Sequence, residues 1–170
     1  EAFRKKGHFA VSCDILPTEQ PGQHYQGDIF DILYDNWDLL IAHPPCTFLT
    51  NSGVSWLHKD INRWVDLVNG ANFFTKLWSA PINKKCIENP IMHKWAKMFI
   101  GNIKQTQLVQ PYMFGHLEQK ATCLWLSNLP NLKETCNVKK QTFSLPSNQR
   151  QRLHYLPPSE DRWKERSRTF

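Results

Sequence analysis

The sequence predicts an α/β fold, a mostly parallel sheet with flanking helices, and three segments carry that prediction. Trp37-Asp-Leu-Leu-Ile-Ala42 is a nearly continuous apolar run between Asp35-Asn36 and the pair Pro44-Pro45, the pattern of a central strand buried on both faces. From Leu57 to Trp78 the large apolar residues Leu57, Ile61, Trp64, Val68, Ala71, Phe74 and Trp78 recur at spacings of three and four, which places them on one helical face. Lys84-Lys-Cys-Ile87 reads as a second short strand ending at Glu88-Asn89-Pro90. Residues 37–88 are thus one β-α-β unit, long enough for a right-handed crossover.

The remaining elements follow from local signals. Glu1 to Lys6 has helix-forming composition and stops at Gly7, which reads as the end of a helix whose start lies outside this sequence. His8 to Asp14 is β-prone, with Phe9, Val11 and Cys13 alternating, and a Pro/Gly-rich loop from Pro17 to Gly27 follows. Met92 to Ile100 predicts a helix ended by Gly101. Gln107 to Gln110 and Ala121 to Leu126 predict strands, the latter from Thr122, Leu124 and Trp125. Beyond Ser127 prolines and amides predict irregular chain. The expected organisation is a core over 1–126 and, within the same domain, a short basic segment over 127–170.

At 170 residues one core suffices, and 41% hydrophobic with 21% charged residues excludes wholesale disorder. The longest aliphatic run, Leu39 to Ala42, falls far short of the roughly 18 residues of a membrane helix, and no apolar stretch follows Arg4-Lys5-Lys6 as a signal peptide requires. The 5 Cys include no CxxC pair, against a disulfide framework or zinc ribbon, so a reducing cytosol is the expected compartment. His43, His93 and His116 are too widely separated for a zinc motif, and no metal is expected.

Charge is unevenly spread. Lys139, Lys140, Arg150, Arg152, Arg162, Lys164, Arg166 and Arg168 face only Glu160, Asp161 and Glu165, so this segment carries +5 of the formal +6. Clustered cations with Tyr155 and Trp163 among them suit nucleic acid, with Lys139, Lys140, Arg150 and Arg152 as candidate phosphate contacts.

In open α/β sheets the ligand crevice lies at the carboxyl ends of the strands. Here the first strand runs into His43-Pro44-Pro45-Cys46 and the second into Glu88-Asn89-Pro90, which predicts a thiol and a carboxyl on one sheet edge. Two prolines deny Cys46 a regular ladder or helix position and fix its loop, whereas Cys86, inside its strand, suits an inert role. A thiolate opposite a carboxylic acid suits attack on a pyrimidine. Addition at carbon 6 of cytosine, with a proton delivered to ring nitrogen 3, makes carbon 5 nucleophilic.

Pro44-Pro45-Cys46 and Glu88-Asn89, in this order and context, resemble the nucleophile and proton-donor motifs of cytosine carbon-5 DNA methyltransferases. Ser12-Cys-Asp-Ile-Leu-Pro17, His43-Pro-Pro-Cys-Thr47, Glu88-Asn-Pro90, Met113-Phe-Gly-His116 and Asp161-Arg-Trp-Lys-Glu-Arg-Ser-Arg168 resemble a short phage and prophage branch of that family. The tripeptide Pro-Pro-Cys alone is also similar to the nucleophile segment of thymidylate synthases. The resemblance implies a Rossmann-like methyltransferase fold, S-adenosyl-L-methionine as methyl donor, DNA as substrate, and a monomer in the cytoplasm of a bacterial host. It makes Cys46 the nucleophile and Glu88 the group at nitrogen 3, with Pro45 and Asn89 shaping their loops. It places the cofactor at Asp14, Ile15, Asp28, Ile29 and Pro44, with Asp14 on the ribose, Ile15 on the adenine and Asp28 at its amino group. The target cytosine is expected to be flipped out of the duplex.

The departures are specific. The family's glycine-rich cofactor loop and first strand, which precede the helix that Glu1 to Lys6 finishes, are expected to be absent, as is the closing helix beyond Phe170. Gln119-Lys120-Ala121-Thr122 stands where the family carries Gln and two Arg, leaving Lys120 as the candidate phosphate or base-loop contact. Residues 127–158 are short for a module reading base edges. Two rival readings stand beside this one: another pyrimidine-modifying enzyme using thiol addition, and a DNA-binding remnant without catalysis.

Overall fold

The computed structural model describes residues 2–159, the side chain of Ser52 excepted. The basic residues Arg162, Lys164, Arg166 and Arg168 and the motif from Asp161 to Arg168 lie outside the described residues. In order come α1 (Ala2–Lys5), β1 (Ser12–Asp14), β2 (His24–Gln26), a 3-10 turn at Ile29–Asp31, β3 (Leu39–Ala42), α2 (Asn51–Val54) and a 3-10 turn at Ser55–His58. Next come α3 (Asn62–Ser79), β4 (Lys84–Pro90), α4 (Lys94–Phe99), β5 (Gln107–Val109), a 3-10 turn at Pro111–Met113, β6 (Thr122–Ser127), α5 (Lys139–Ser144) and α6 (Ser147–Arg150).

The fold is α/β, but its sheets are mixed. β1 and β2 form a parallel pair by themselves, and a four-stranded sheet runs β3-β4-β6-β5. β3 is parallel to β4, while β6 is antiparallel to both β4 and β5. The expectation of a mostly parallel sheet is corrected at β6. The link from β5 to β6 carries only a single 3-10 turn, and a connection without a crossover helix returns the chain antiparallel. A second correction concerns β3, the expected central strand. Among the described residues it pairs on one side only, with Ile41 46% exposed, while β4 and β6 occupy the middle.

The helix expected from Leu57 begins at Asn62 instead. The Asp60 carboxylate accepts the Asn62 N–H at 2.9 Å and the Trp64 indole N–H reaches back to the Leu57 carbonyl at 2.7 Å, so Leu57 stays buried on a separate 3-10 turn while Ile61 is left 76% exposed. Within α3, Leu67, Ala71, Phe74 and Leu77 are the buried stripe. Phe74 meets Trp125 of β6 edge to face with centroids 5.1 Å apart, and the Trp125 indole N–H donates to the Ile103 carbonyl. Gly7 and Gly101 take φ of 84° and 74°, the left-handed values that end α1 and α4 as the sequence predicts.

Residues beyond Ser127 are more regular than expected, with two short helices, and they dock on the β5–β6 connection. The Val138 N–H donates to the Tyr112 carbonyl at 2.8 Å, the Gln119 N–H to the Arg150 carbonyl at 2.6 Å, and Gln107 exchanges two hydrogen bonds with Leu132.

Candidate functional site

Burial alternates along β4. Lys85, Ile87 and Asn89 are buried, and Cys86 and Glu88 are half-buried on the opposite face. The α3 side is the first of these, since Ile87 pairs with Trp125, which meets Phe74, and the Lys85 ammonium lies over the Trp78 ring while donating to the Ala80 carbonyl at 2.8 Å. Burial lowers the affinity of that ammonium for its proton.

The parallel register pairs Ala42 with Ile87, so the next step along both strands sets His43 beside Glu88. His43 Nδ1 lies 3.0 Å from Glu88 Oε2, with the imidazole 67% exposed and the carboxylate side chain 24% exposed. Glu88 therefore lies inside β4 rather than beyond it, opposite Leu124 of β6.

One residue further, the ladder cannot continue through backbone donors, because Pro44 and Pro45 have no N–H. A side chain substitutes: the buried Asn89 amide donates to the Pro44 carbonyl at 3.0 Å. Pro44 is buried under this bond and Pro45 is exposed. Cys46 follows, half-buried, at the start of a turn in which its carbonyl accepts the Leu49 and Thr50 N–H groups at 3.0 and 3.2 Å.

His93 closes the other end of this loop. Its Nε2 lies 3.0 Å from the Phe48 carbonyl, its backbone N–H donates to the Leu49 carbonyl, and its Nδ1 accepts the Ala96 N–H at 3.1 Å as the N-cap of α4. Thr50 bridges to Met92. Segments 43–50 and 88–96 are thus joined at successive points: His43 with Glu88, Pro44 with Asn89, Phe48 and Leu49 with His93, and Thr50 with Met92, with Pro45 and Cys46 on the stretch between. Burial pushes the His93 imidazole below its ordinary range, offset in part by the Phe48 carbonyl. It pushes the Cys86 and Cys123 thiols up, with the Glu88 carboxylate adding to both and Lys97 opposing it at Cys123.

Of the predicted cofactor residues, Asp14, Ile15, Asp28 and Ile29 lie at the carboxyl edge of the β1–β2 pair, whereas Pro44 follows β3 in the other sheet and is bonded by Asn89. Asp14 ends β1 opposite Gln26, and the Gly27 N–H donates to the Asp14 carbonyl at 3.0 Å, with Asp28 the residue after Gly27. Both carboxylates make local bonds: Asp14 Oδ1 accepts the Leu16 N–H at 2.9 Å, and Asp28 Oδ1 accepts the Phe30 N–H at 3.0 Å as cap of the 3-10 turn. Ile15 is 75% exposed beside them, whereas Ile29 packs against the core. An open depression lined by Phe30, Asn69, Phe73 and Lys76 lies between that turn and α3, not at the Cys46 loop.

The basic residues divide into two groups. Lys139 and Lys140 are exposed at the start of α5. Arg150 is engaged internally, donating to Gln119 Oε1 at 3.2 Å and the Leu145 carbonyl at 3.0 Å with its guanidinium over Phe143. Arg152 approaches the buried Glu118 carboxylate at 3.8 Å. Lys120 is half-buried two residues before Thr122, which pairs with Pro90, so it belongs to the edge that carries Glu88 and Asn89.

Sequence reasoning weighed His43 and His93 only as metal ligands, and their contacts give them other roles. The missing signal was the strand register, since His43 and Glu88 are equal steps beyond a paired Ala42 and Ile87. Among the described residues no group of three or more His, Cys, Asp or Glu side chains is placed to hold a metal ion, and no helix is long and apolar enough to cross a membrane. No protein-family model, curated protein or solved structure matches this chain.

Proposed function

We propose that this chain is the core of a DNA cytosine carbon-5 methyltransferase of Rossmann-like type, of phage or prophage origin and acting in the bacterial cytoplasm. The observation that carries the reading is the braced pair of segments: His43 meets Glu88, the Asn89 amide bonds the Pro44 carbonyl, and Cys46 follows two residues after Pro44. A thiol on a proline-stiffened loop and a carboxyl on the neighbouring strand are what addition across the 5,6 bond of cytosine requires.

The residues then divide the work. Cys46, having given its proton to water, adds as the thiolate to carbon 6 of a flipped cytosine while the Glu88 carboxyl gives a proton to nitrogen 3, and the electron pair of the 5,6 bond becomes available at carbon 5. After methylation, loss of the carbon-5 proton to water expels the Cys46 thiolate, and the nitrogen-3 proton returns to Glu88. Asn89 and His93 hold the nucleophile loop through the Pro44 and Phe48 carbonyls, which fixes the approach of Cys46 before the base enters. Lys139 and Lys140 are exposed and available to phosphates.

S-adenosyl-L-methionine is the methyl donor in this reading, supplying a methyl group on a sulfonium. The residues at the β1–β2 edge fit its nucleoside: two carboxylates are acceptors for ribose hydroxyls and an adenine amino group, and the exposed Ile15 offers an apolar surface for the ring.

The test is direct. The protein expressed from its natural reading frame is incubated with DNA and methyl-labelled S-adenosylmethionine, and with DNA carrying 5-fluorocytosine. Label on cytosine carbon 5 and a covalent adduct, both lost in Cys46→Ser, are expected. An adduct without methyl transfer supports a different pyrimidine modification, and binding without either supports a DNA-holding module.

A further inference from the structure

We propose that His43 is a positioning residue for Glu88, holding one oxygen of the carboxyl so that the other meets the base. The inference rests on the methyltransferase reading above and assigns a residue to it. A carboxyl that must protonate nitrogen 3 has two equivalent oxygens and rotates about Cγ–Cδ, so its proton is aimed at the base only part of the time. His43 breaks that equivalence, because its Nδ1 is 3.0 Å from Oε2. An imidazole carrying its proton on Nδ1 donates to Oε2, which leaves the carboxyl proton on Oε1.

The consequence extends to the reaction itself. As nitrogen 3 gains the proton, the Oε1–H bond breaks and its electron pair stays on the carboxyl, which becomes a carboxylate. The Nδ1–H bond to Oε2 then has a charged acceptor and strengthens. An interaction that strengthens as the thiolate adds raises kcat rather than lowering KM. When Cys46 leaves carbon 6, the proton returns from nitrogen 3 to Oε1 and the contact relaxes.

Glu88 also bears on the Cys86 thiol of its own strand and on the Cys123 thiol of β6, both held protonated by burial, with Lys97 acting on Cys123. The His43 side chain is 67% exposed, so its removal leaves no cavity.

The experiment compares His43→Ala and His43→Asn in the protein of natural length, by steady-state methyl transfer to DNA and by thermal melting. Asn carries an amide nitrogen close to the place of Nδ1 and donates without ionising. His43→Ala is expected to lower kcat about tenfold with KM for DNA and the melting temperature unchanged, and His43→Asn to restore kcat to within about threefold. An unchanged kcat in His43→Ala, a loss confined to KM or to melting, or no rescue by His43→Asn overturns the assignment. Absence of methyl transfer in the unaltered protein overturns the methyltransferase reading itself, a result that no His43 variant can mimic.

Discussion

The Asn89 side-chain amide donates to the Pro44 carbonyl at 3.0 Å across 45 residues of chain, and this one bond couples the end of β3 to the end of β4. It stands where two consecutive prolines have removed the backbone donors that would otherwise join the strands. Four predictions follow from this edge and its surroundings.

Asn89→Ala leaves the Pro44 carbonyl without its donor in a buried place. The expected loss is about 1–3 kcal/mol of unfolding free energy in urea denaturation. Asn89→Asp keeps the size but substitutes a buried charge that cannot donate, and its loss should be the larger of the two.

His93 makes the Cys46 loop sensitive to acid. Its imidazole is neutral in the fold, with one nitrogen facing the Phe48 carbonyl and the other accepting the Ala96 N–H; protonation sets a donor against that N–H. The folded group binds its proton more weakly than the unfolded one. Stability from this contact is therefore complete above the unfolded value of about 6.5 and is lost as pH falls through the folded value. Urea midpoints at pH 7.5 and pH 5 should fall more steeply in the native protein than in His93→Asn, where an amide caps α4 without titrating.

The thiols should react in the order of their environments. Cys136 is exposed, whereas Cys86 and Cys123 are half-buried and buried with raised proton affinity. Alkylation of the native protein at pH 8, followed by peptide mass spectrometry, should label Cys136 well before Cys123. Equal rates for the two contradict this packing.

The basic residues should separate into DNA contacts and structural ties. Lys139→Ala with Lys140→Ala should leave stability within about 0.5 kcal/mol and reduce the slope of log affinity for DNA against log salt by about 1.8. Arg150→Ala removes the bonds to Gln119 and Leu145 that fix residues 145–150, and it should lower stability by about 1–2 kcal/mol. Urea denaturation and salt-dependent DNA binding distinguish the two effects.

Some of this molecule was legible one segment at a time. Apolar spacing located α3, β3 and β4, and Gly7 and Gly101 marked two helix ends, because which face of a segment is apolar and where left-handed backbone is tolerated are local properties. The motif Pro44-Pro45-Cys46 and its partner Glu88-Asn89 were visible as chemistry before any geometry, since prolines beside a thiol constrain a loop wherever it folds. Non-local pairing decided the rest. Among the described residues β3 is an edge and β6 runs backward between β4 and β5, because the sheet order depends on which strands exchange hydrogen bonds, and an apolar run carries no address for its neighbour. His43 meets Glu88, His93 clamps Phe48, and Arg150 turns inward to Gln119, contacts 45, 45 and 31 residues apart that arise only once the registers are set. A side chain's chemistry is written in its own residue; the partner that gives that chemistry a task is chosen by packing across the whole chain.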